Sequence, residues 1–342
     1  MRRGVVEGTG VGPRAAPLPS RWAVVAGGVL LGVVLAVTGR HALAEGFYDL
    51  EPVEVADGVY AFEGRLEHFT RENAGNIVNT GFIVTAAGVI VIDTGSSYLY
   101  GVAMREAIAE VTAQPVVAAY ITHHHPDHYL GNEAFSEASI SALPHTMEAI
   151  EREGDDVTDA LYRSVGDAMR GTEPVVPEHE AMPGVYEHAG RELEMIAVGG
   201  HSGHEEADLM ILDRTSGVLF AGDVVFVDRA PTTPHADVPR WIAELEKLEE
   251  RVETEEIQAV IPGHGPLERG MEGIAQTREY LEWLLQRLEQ GADEGLHPAE
   301  LMARPIPEPF AALAVIDEEY PRSVAHLYPS LLAERLERLE GE

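Results

Sequence analysis

Short apolar runs recur along the chain, and most of them stop at a glycine, a proline or a polar residue suited to a turn. Val53 to Phe62, Asn76 to Thr85 and Gly88 to Asp93 have the composition of strands, which predicts a meander at the start of the folded region. Tyr98 to Val111 carries Val102, Ile108 and Val111 at helical spacing, and Val116 to Ile121 is an unbroken apolar run that predicts a buried strand. Strand, helix, strand is the expected crossover. Ser139 to Leu143 predicts a short strand stopped by Pro144, followed by a helical stretch from His145 to Met169 with a break near Gly154. Gly171 to Pro183, with Pro174 and Pro177, predicts an irregular surface connection.

The second half repeats the alternation. Tyr186 to Val198 resumes a strand pattern after Gly190, and Asp208 to Asp213 and Val218 to Phe220 follow as strands. Trp241 to Val252 predicts an amphipathic acidic helix, Ile257 to Ile261 a last buried strand, and Met271 to Leu288 another helix. From Gly291 onward the pattern is helical with proline breaks. This is an α/β chain. No internal repeat and no linker rich in Gly or Ser marks a second independent domain, so residues 45–268 form the expected main domain and residues 269–342 a helical extension packing on it.

Composition narrows the setting. The 342 residues suffice for a large two-sheet domain, and 45% apolar content excludes wholesale disorder. With 58 acidic against 24 basic residues the formal charge is -34, which argues against nucleic acid and anionic membrane surfaces as partners. There is no cysteine, so disulfides, thiolate nucleophiles and zinc-cysteine sites are excluded. Arg2, Arg3, Arg14 and Arg21 precede an uncharged stretch from Trp22 to Gly39, and Ala42-Leu43-Ala44 follows. Residues 1–44 therefore read as a secretory signal cut after Ala44, with an uncleaved membrane anchor as the competing reading. Either one implies export, to the periplasm or the outer face of the inner membrane.

The chemistry concentrates at Thr122 to Gly131, reading THHHPDHYLG, just past the Val116 strand. Neutral imidazole nitrogen and carboxylate oxygen are standard donors to divalent metal. In extended backbone alternate side chains share a side, so His123 and His125 can reach one ion while His124 points elsewhere. Pro126 then bends the chain and lets Asp127 and His128 face a second ion. Further metal-type residues also follow apolar strands: His201 or His204 in the turn GGHSGH, Asp223 after Val218 to Phe220, and His264 after Ile257 to Ile261. His68, His145, His235 and the remaining histidines lack this setting and are read as surface or core residues.

The pattern His-x-His-x-Asp-His after a strand resembles the signature of the metallo-β-lactamase superfamily. That resemblance implies a four-layer αββα sandwich with metals at one edge. It places His123, His125 and a histidine of the glycine-rich turn on the first ion, Asp127, His128 and His264 on the second, and Asp223 between them. The spacing from His204 to Asp208-Leu209 matches related sequences without a gap and favours His204, while Gly200-His201-Ser202 mimics the family's Gly-His-Thr and keeps His201 open. Asp93 would orient a ligand histidine or simply close a turn. Segments such as Leu219 to Asp223 and Arg229-Ala230-Pro231 are similar to exported metallohydrolases associated with sulfur-oxidation and quinoprotein relay gene sets.

The implied function is hydrolysis of an ester, thioester, amide or lactam by a hydroxide bridging two zinc ions, with Asp127 orienting the nucleophile. The alternatives are a mononuclear iron sulfur dioxygenase of the same fold and a noncatalytic exported binding protein. The expected partner is a small molecule. Arg229, six residues past Asp223, would make it anionic unless it only pairs with a surface acid.

Overall fold

The computed structural model describes residues 46–203, 207–254 and 256–341. Residues 1–44, with the signal or anchor stretch, and His204 lie outside them. In chain order the strands and helices are β1 (Val53–Ala56), β2 (Val59–Phe62), β3 (Thr80–Thr85), β4 (Gly88–Ile92), α1 (Tyr98–Val111), β5 (Val116–Ile121), the single turn α2 (Pro126–Tyr129), β6 (Ser139–Ala142), α3 (Pro144–Val165) and β7 (His179–Glu180). They continue with β8 (Gly184–His188), β9 (Arg191–Val198), β10 (Asp208–Asp213), β11 (Val218–Phe226), α4 (Val238–Glu253), β12 (Ala259–His264), α5 (Gly270–Asp293), α6 (Pro298–Met302) and α7 (Ile316–Gly341).

Strands β1 to β7 pair in sequence order as one seven-stranded sheet, and the second sheet runs β12-β11-β10-β9-β8. The period-2 alternation of each strand explains the layering. On β4, Ile90 and Ile92 point into the core between the sheets with Leu209 and Ile211 of β10 and Val218 and Phe220 of β11. Val89 and Val91 point the other way, into a core with Leu99, Met104 and Ile108 of α1 and Ile150 and Leu161 of α3. On the second sheet Met210, Leu212, Leu219 and Ala221 face outward against Trp241 and Leu245 of α4 and Leu281 and Leu284 of α5. Three apolar cores separate four layers, which gives helix, sheet, sheet, helix.

Several elements depart from the expected ones. Val53 to Phe62 is a hairpin rather than one strand, turned at Asp57-Gly58 with Gly58 at φ 70°. Residues 76–79 stay out of β3 because they serve the opposite sheet: Asn79 donates to the carbonyls of Pro262 and Gly265 at 3.0 and 2.8 Å. Helix α3 runs through Gly154 unbroken and ends at Gly166, whose φ of 77° no ordinary helix continues. Strand β11 extends past Phe220 to Phe226, so Asp223 lies within it. Pro321 and Pro329 lie inside α7 without interrupting it. Ile316, Tyr320, Val324 and Tyr328, four residues apart, bury one stripe of that helix in the core of the second sheet.

Candidate metal centre

Four segments meet at one edge of the two sheets. β5 ends at Ile121 and its exit carries His123 and His125. Pro126 then starts α2, whose single turn buries Asp127 and His128. Asp223 projects from β11 where its parallel register with β12 shifts around Gly222. Neighbouring Gly263 has no room for a side chain, because a Cβ there would sit 2.1 Å from Asp223 Oδ1. His264 ends β12. His201 comes from the turn between β9 and β10, where Gly200 adopts φ 118° against the backbone of Trp241.

Asp223 divides the cluster. Its Oδ2 faces His123 Nε2, His125 Nδ1 and His201 Nε2 at 3.6, 3.6 and 3.7 Å. Its Oδ1 faces His128 Nε2 and His264 Nε2, both at 3.2 Å. Asp127 Oδ2 lies 3.4 Å from His264 Nε2 and 3.9 Å from His128 Nε2. Two donor groups result, each with its potential ligand atoms within 4.8 Å of one another: His123, His125, His201 and Asp223, and Asp127, His128 and His264. The carboxylate of Asp223 is aimed at both.

The outward ring nitrogens are held by the protein. His128 Nδ1 donates to Asp93 Oδ2 at 2.7 Å, His201 Nδ1 to Asp208 Oδ1 at 2.9 Å, and His264 Nδ1 to the Ile77 carbonyl at 2.7 Å. Thr122 donates its hydroxyl to Asp93 Oδ2 at 2.8 Å, so Thr122 Oγ1 is left to accept from His123 Nδ1 at 3.1 Å. Asp93 thus orients one histidine of each group, directly and through Thr122. Of its two sequence readings, orientation is the one the geometry gives. Each such bond orients its ring and turns Nε2 inward.

Those inward atoms have no partner among the described residues: His123, His128 and His201 Nε2 and Asp223 Oδ1 are buried without a hydrogen bond. Leaving each unmet costs about 1–3 kcal/mol, and four converging on two points is what a pair of cations resolves. Charge tells the same story. Burial, then the neighbouring His128, push the His123 imidazole well below its ordinary value. Burial likewise pushes His125 down to about 4. Asp223 is held well below the usual carboxylate range: burial opposes this, but His264, His128 and His123 outweigh it. Burial also works against a proton on His128, yet Asp93, Asp223 and Asp127 overcome it and hold that ring well above the ordinary histidine value. The residues fit a dinuclear divalent site made only of nitrogen and oxygen donors.

The structure brings together His123, His125, Asp127, His128, Asp223 and His264 as the sequence pattern anticipates. At the glycine-rich turn His201 faces Asp223; the preferred His204 lies outside the described residues. Asp208, used in the sequence only to set spacing, anchors His201 and also accepts from Ser202 N at 2.8 Å. His124 stays out of both groups, buried against His235 with ring centroids 5.3 Å apart.

A cavity of about 290 Å³ opens from the centre. Its lining combines the donors Asp127, Asp223 and His264, the apolar Tyr129, Val157 and Leu161, and the polar or charged His68, Glu153, Arg229, His235, Glu319 and Arg322. In the sequence His68 and His235 lack the strand-end setting of the donors, and no local motif marks Glu319 or Arg322. Among the described residues no helix is long and apolar enough to cross a membrane.

Comparison with known proteins agrees with this geometry. The acyl-coenzyme A thioesterase MBLAC2 of Homo sapiens is 25% identical over 232 residues, covering 61% of this chain and 79% of that protein. A linear primary-alkylsulfatase of Pseudomonas sp. (strain ATCC 19151) is 23% identical over 281 residues, covering 70% of this chain and 52% of its own length. Among solved structures, the sec-alkylsulfatase Pisa1 from Pseudomonas sp. superposes with a TM-score of 0.62 at 17% identity, over 84% of this chain and 51% of that one. The metallo-beta-lactamase IND-7 superposes with a TM-score of 0.53 at 19% identity, over 68% of this chain and 98% of its own. The sequence description of the metallo-beta-lactamase superfamily matches residues 74–267, the stretch that carries β3 to β12 and every donor of the two groups. The chain belongs to the metallo-beta-lactamase superfamily and is one of its metallohydrolases.

Proposed function

We propose that the protein is a dinuclear zinc hydrolase acting on an ester or thioester bond of an anionic small molecule, with His201 rather than His204 as the third histidine of the first ion. The observation that carries this is the division of Asp223, one oxygen toward each donor group. A divalent pair bound there supplies Lewis acidity and acidifies water from a pKa of about 15.7 toward 7.

The chain's own residues do the rest. Asp223, buried and held ionised, keeps the two groups in register. Asp127 borders both the donors and the cavity and is placed to orient the attacking water and take its proton. The apolar lining excludes water from the bond to be cleaved, and Arg229 draws a negatively charged part of the substrate into the cavity. A thioester or ester reading is in keeping with the acyl-coenzyme A thioesterases among the relatives.

Metal analysis of protein purified without added metal, together with turnover of acyl thioesters, tests the reading. Two zinc ions per chain and thioester hydrolysis abolished by chelation are expected. One iron per chain with oxygen consumption points to a dioxygenase, and a folded protein without metal to a binding protein. Export belongs to the same proposal: N-terminal sequencing of envelope protein should begin at Glu45, and a chain starting near Met1 that pellets with membranes identifies an anchor instead.

A further inference from the structure

The cavity is also lined by charged side chains with buried polar atoms that find no hydrogen-bond partner among the described residues. Arg229 is buried, with 3% of its surface exposed, and its Nε and Nη1 make no hydrogen bond. A surface ion pair, the alternative role for this arginine, does not suit a side chain so enclosed. The ring of Phe226 links it to the metal centre: the Arg229 guanidinium carbon lies 6.0 Å from the ring centroid, and His264 stacks on the same ring at 5.2 Å.

Opposite charge reaches the cavity from α7. Glu319 is fully buried; its Oε1 accepts from Thr232 Oγ1 at 3.1 Å and lies 3.5 Å from Arg322 Nη1. Its Oε2 has no partner. His68 Nε2, 3.6 Å from Glu319 Oε1, is also unpartnered. Burial first and then the Arg229 charge lower the His68 pKa, which leaves that ring neutral near pH 7. Beside the metal donors the charged groups lining the cavity are Arg229, Arg322, Glu319 and Glu153, and of these Arg229 and Glu319 hold the polar atoms left without a partner. A buried guanidinium and a buried carboxylate oxygen, each left unmet, are costly unless a ligand meets both.

We propose that α7 and Arg229 make this part of the cavity a subsite for an anionic head group that also carries a hydrogen-bond donor, the anion on Arg229 and the donor on Glu319 Oε2. The idea rests on the hydrolase reading only in taking the scissile end of the same molecule to lie at the metal donors. Helix α7 lies beyond residues 74–267, the part that matches the superfamily. Selectivity is thus added by the C-terminal extension, while the donors belong to the shared domain. Guanidinium accepts a carboxylate in two parallel bonds, and a site built to receive a hydroxyl or ammonium group rejects the analogue that lacks it.

Equilibrium binding separates this subsite from turnover. Butanoate, succinate and malate are titrated calorimetrically into the metal-loaded full chain. One carboxylate at the metals is common to all three, succinate adds the second anion, and malate adds a hydroxyl. Succinate should bind at least tenfold more tightly than butanoate, and malate several-fold more tightly than succinate. Arg229→Met should erase the first step, and Glu319→Gln the second while leaving the first. Equal affinities for the three ligands on the wild-type chain overturn the proposal without any variant, and so does a malate preference that survives Glu319→Gln. Because no bond is broken, these outcomes hold whether or not the thioester assay succeeds.

Discussion

Asp223 and His201 show what a single residue can decide. Asp223→Ala removes one donor from both groups at once, but its contacts on the His128 and His264 side are shorter. The second ion should therefore be lost before the first, seen as metal content falling toward one per chain; unchanged content would mean that Asp223 is only a strand residue. His201→Ala should strip the first ion instead. Asp93 acts one step removed. It fixes His128 directly and His123 through Thr122, so Asp93→Asn should weaken metal at both groups by about 10–100-fold, the range for lost orienting partners. Competition with a chelator of known affinity measures this. A loss confined to one ion would break the Asp93-Thr122-His123 relay. The sequence shows the donors themselves because His-x-His-x-Asp-His follows a strand, but not which turn histidine reaches Asp223. That choice depends on Gly200 lying against Trp241 and on Asp208 accepting from His201, contacts between segments that spacing alone does not encode.

At the scale of elements, strands and helices were legible wherever one face met one layer. α1, β5 and β10 fall where the apolar period places them, since their burial is decided by their own pattern. Gly154 is where local reasoning failed. Glycine in a charged stretch reads as a break, yet α3 continues because Gly154 is where the helix meets Pro174: a Cβ would lie 2.8 Å from Pro174 Cβ. Gly154→Ala gains about 1 kcal/mol of helix propensity but forces apart a rigid contact, and overpacking of this kind costs about 1–3 kcal/mol. Net destabilisation is the expected outcome, read as a lower urea midpoint with an unchanged slope. A stabilised variant would show that the segment carrying Pro174 yields easily. The prolines of α7 misled in the same way, because burial of Tyr320, Val324 and Tyr328 holds that helix together. The same docking sets Glu319 in the cavity, which is why no motif in the tail announces it.

At the scale of the whole molecule, acid and metal act on one set of histidines. Carboxylates titrate near 4, so between pH 8 and about 6 the excess of acidic groups over basic ones, and its self-repulsion, hardly changes. The histidines behave otherwise. Burial pushes His124 down to about 2 and His125 to about 4, and holds His123 well below its ordinary value. In the unfolded chain each regains a pKa of about 6.5. Below that pH the unfolded state binds protons that the folded state refuses, so each histidine lowers the stability of metal-free protein by up to about 1.4 kcal/mol per pH unit. For His125 that loss ends near pH 4, where the folded form also takes its proton. His128 has the opposite sign: held well above its ordinary value, it stabilises the fold below about pH 6.5 and gives that contribution up as pH rises through its folded value. It therefore adds no slope on the acid side, and the three depressed histidines set the trend there. Urea titrations of chelated protein at pH 7.5, 6.5 and 5.5 should show little loss across the first interval and a clear loss across the second. Saturating zinc should raise stability throughout, and most at pH 7.5, because His128 holds a proton in the metal-free fold that a metal must displace, and displacing it is harder as the pH falls. A zinc increment that does not change with pH would mean that His128 is not where the metal binds.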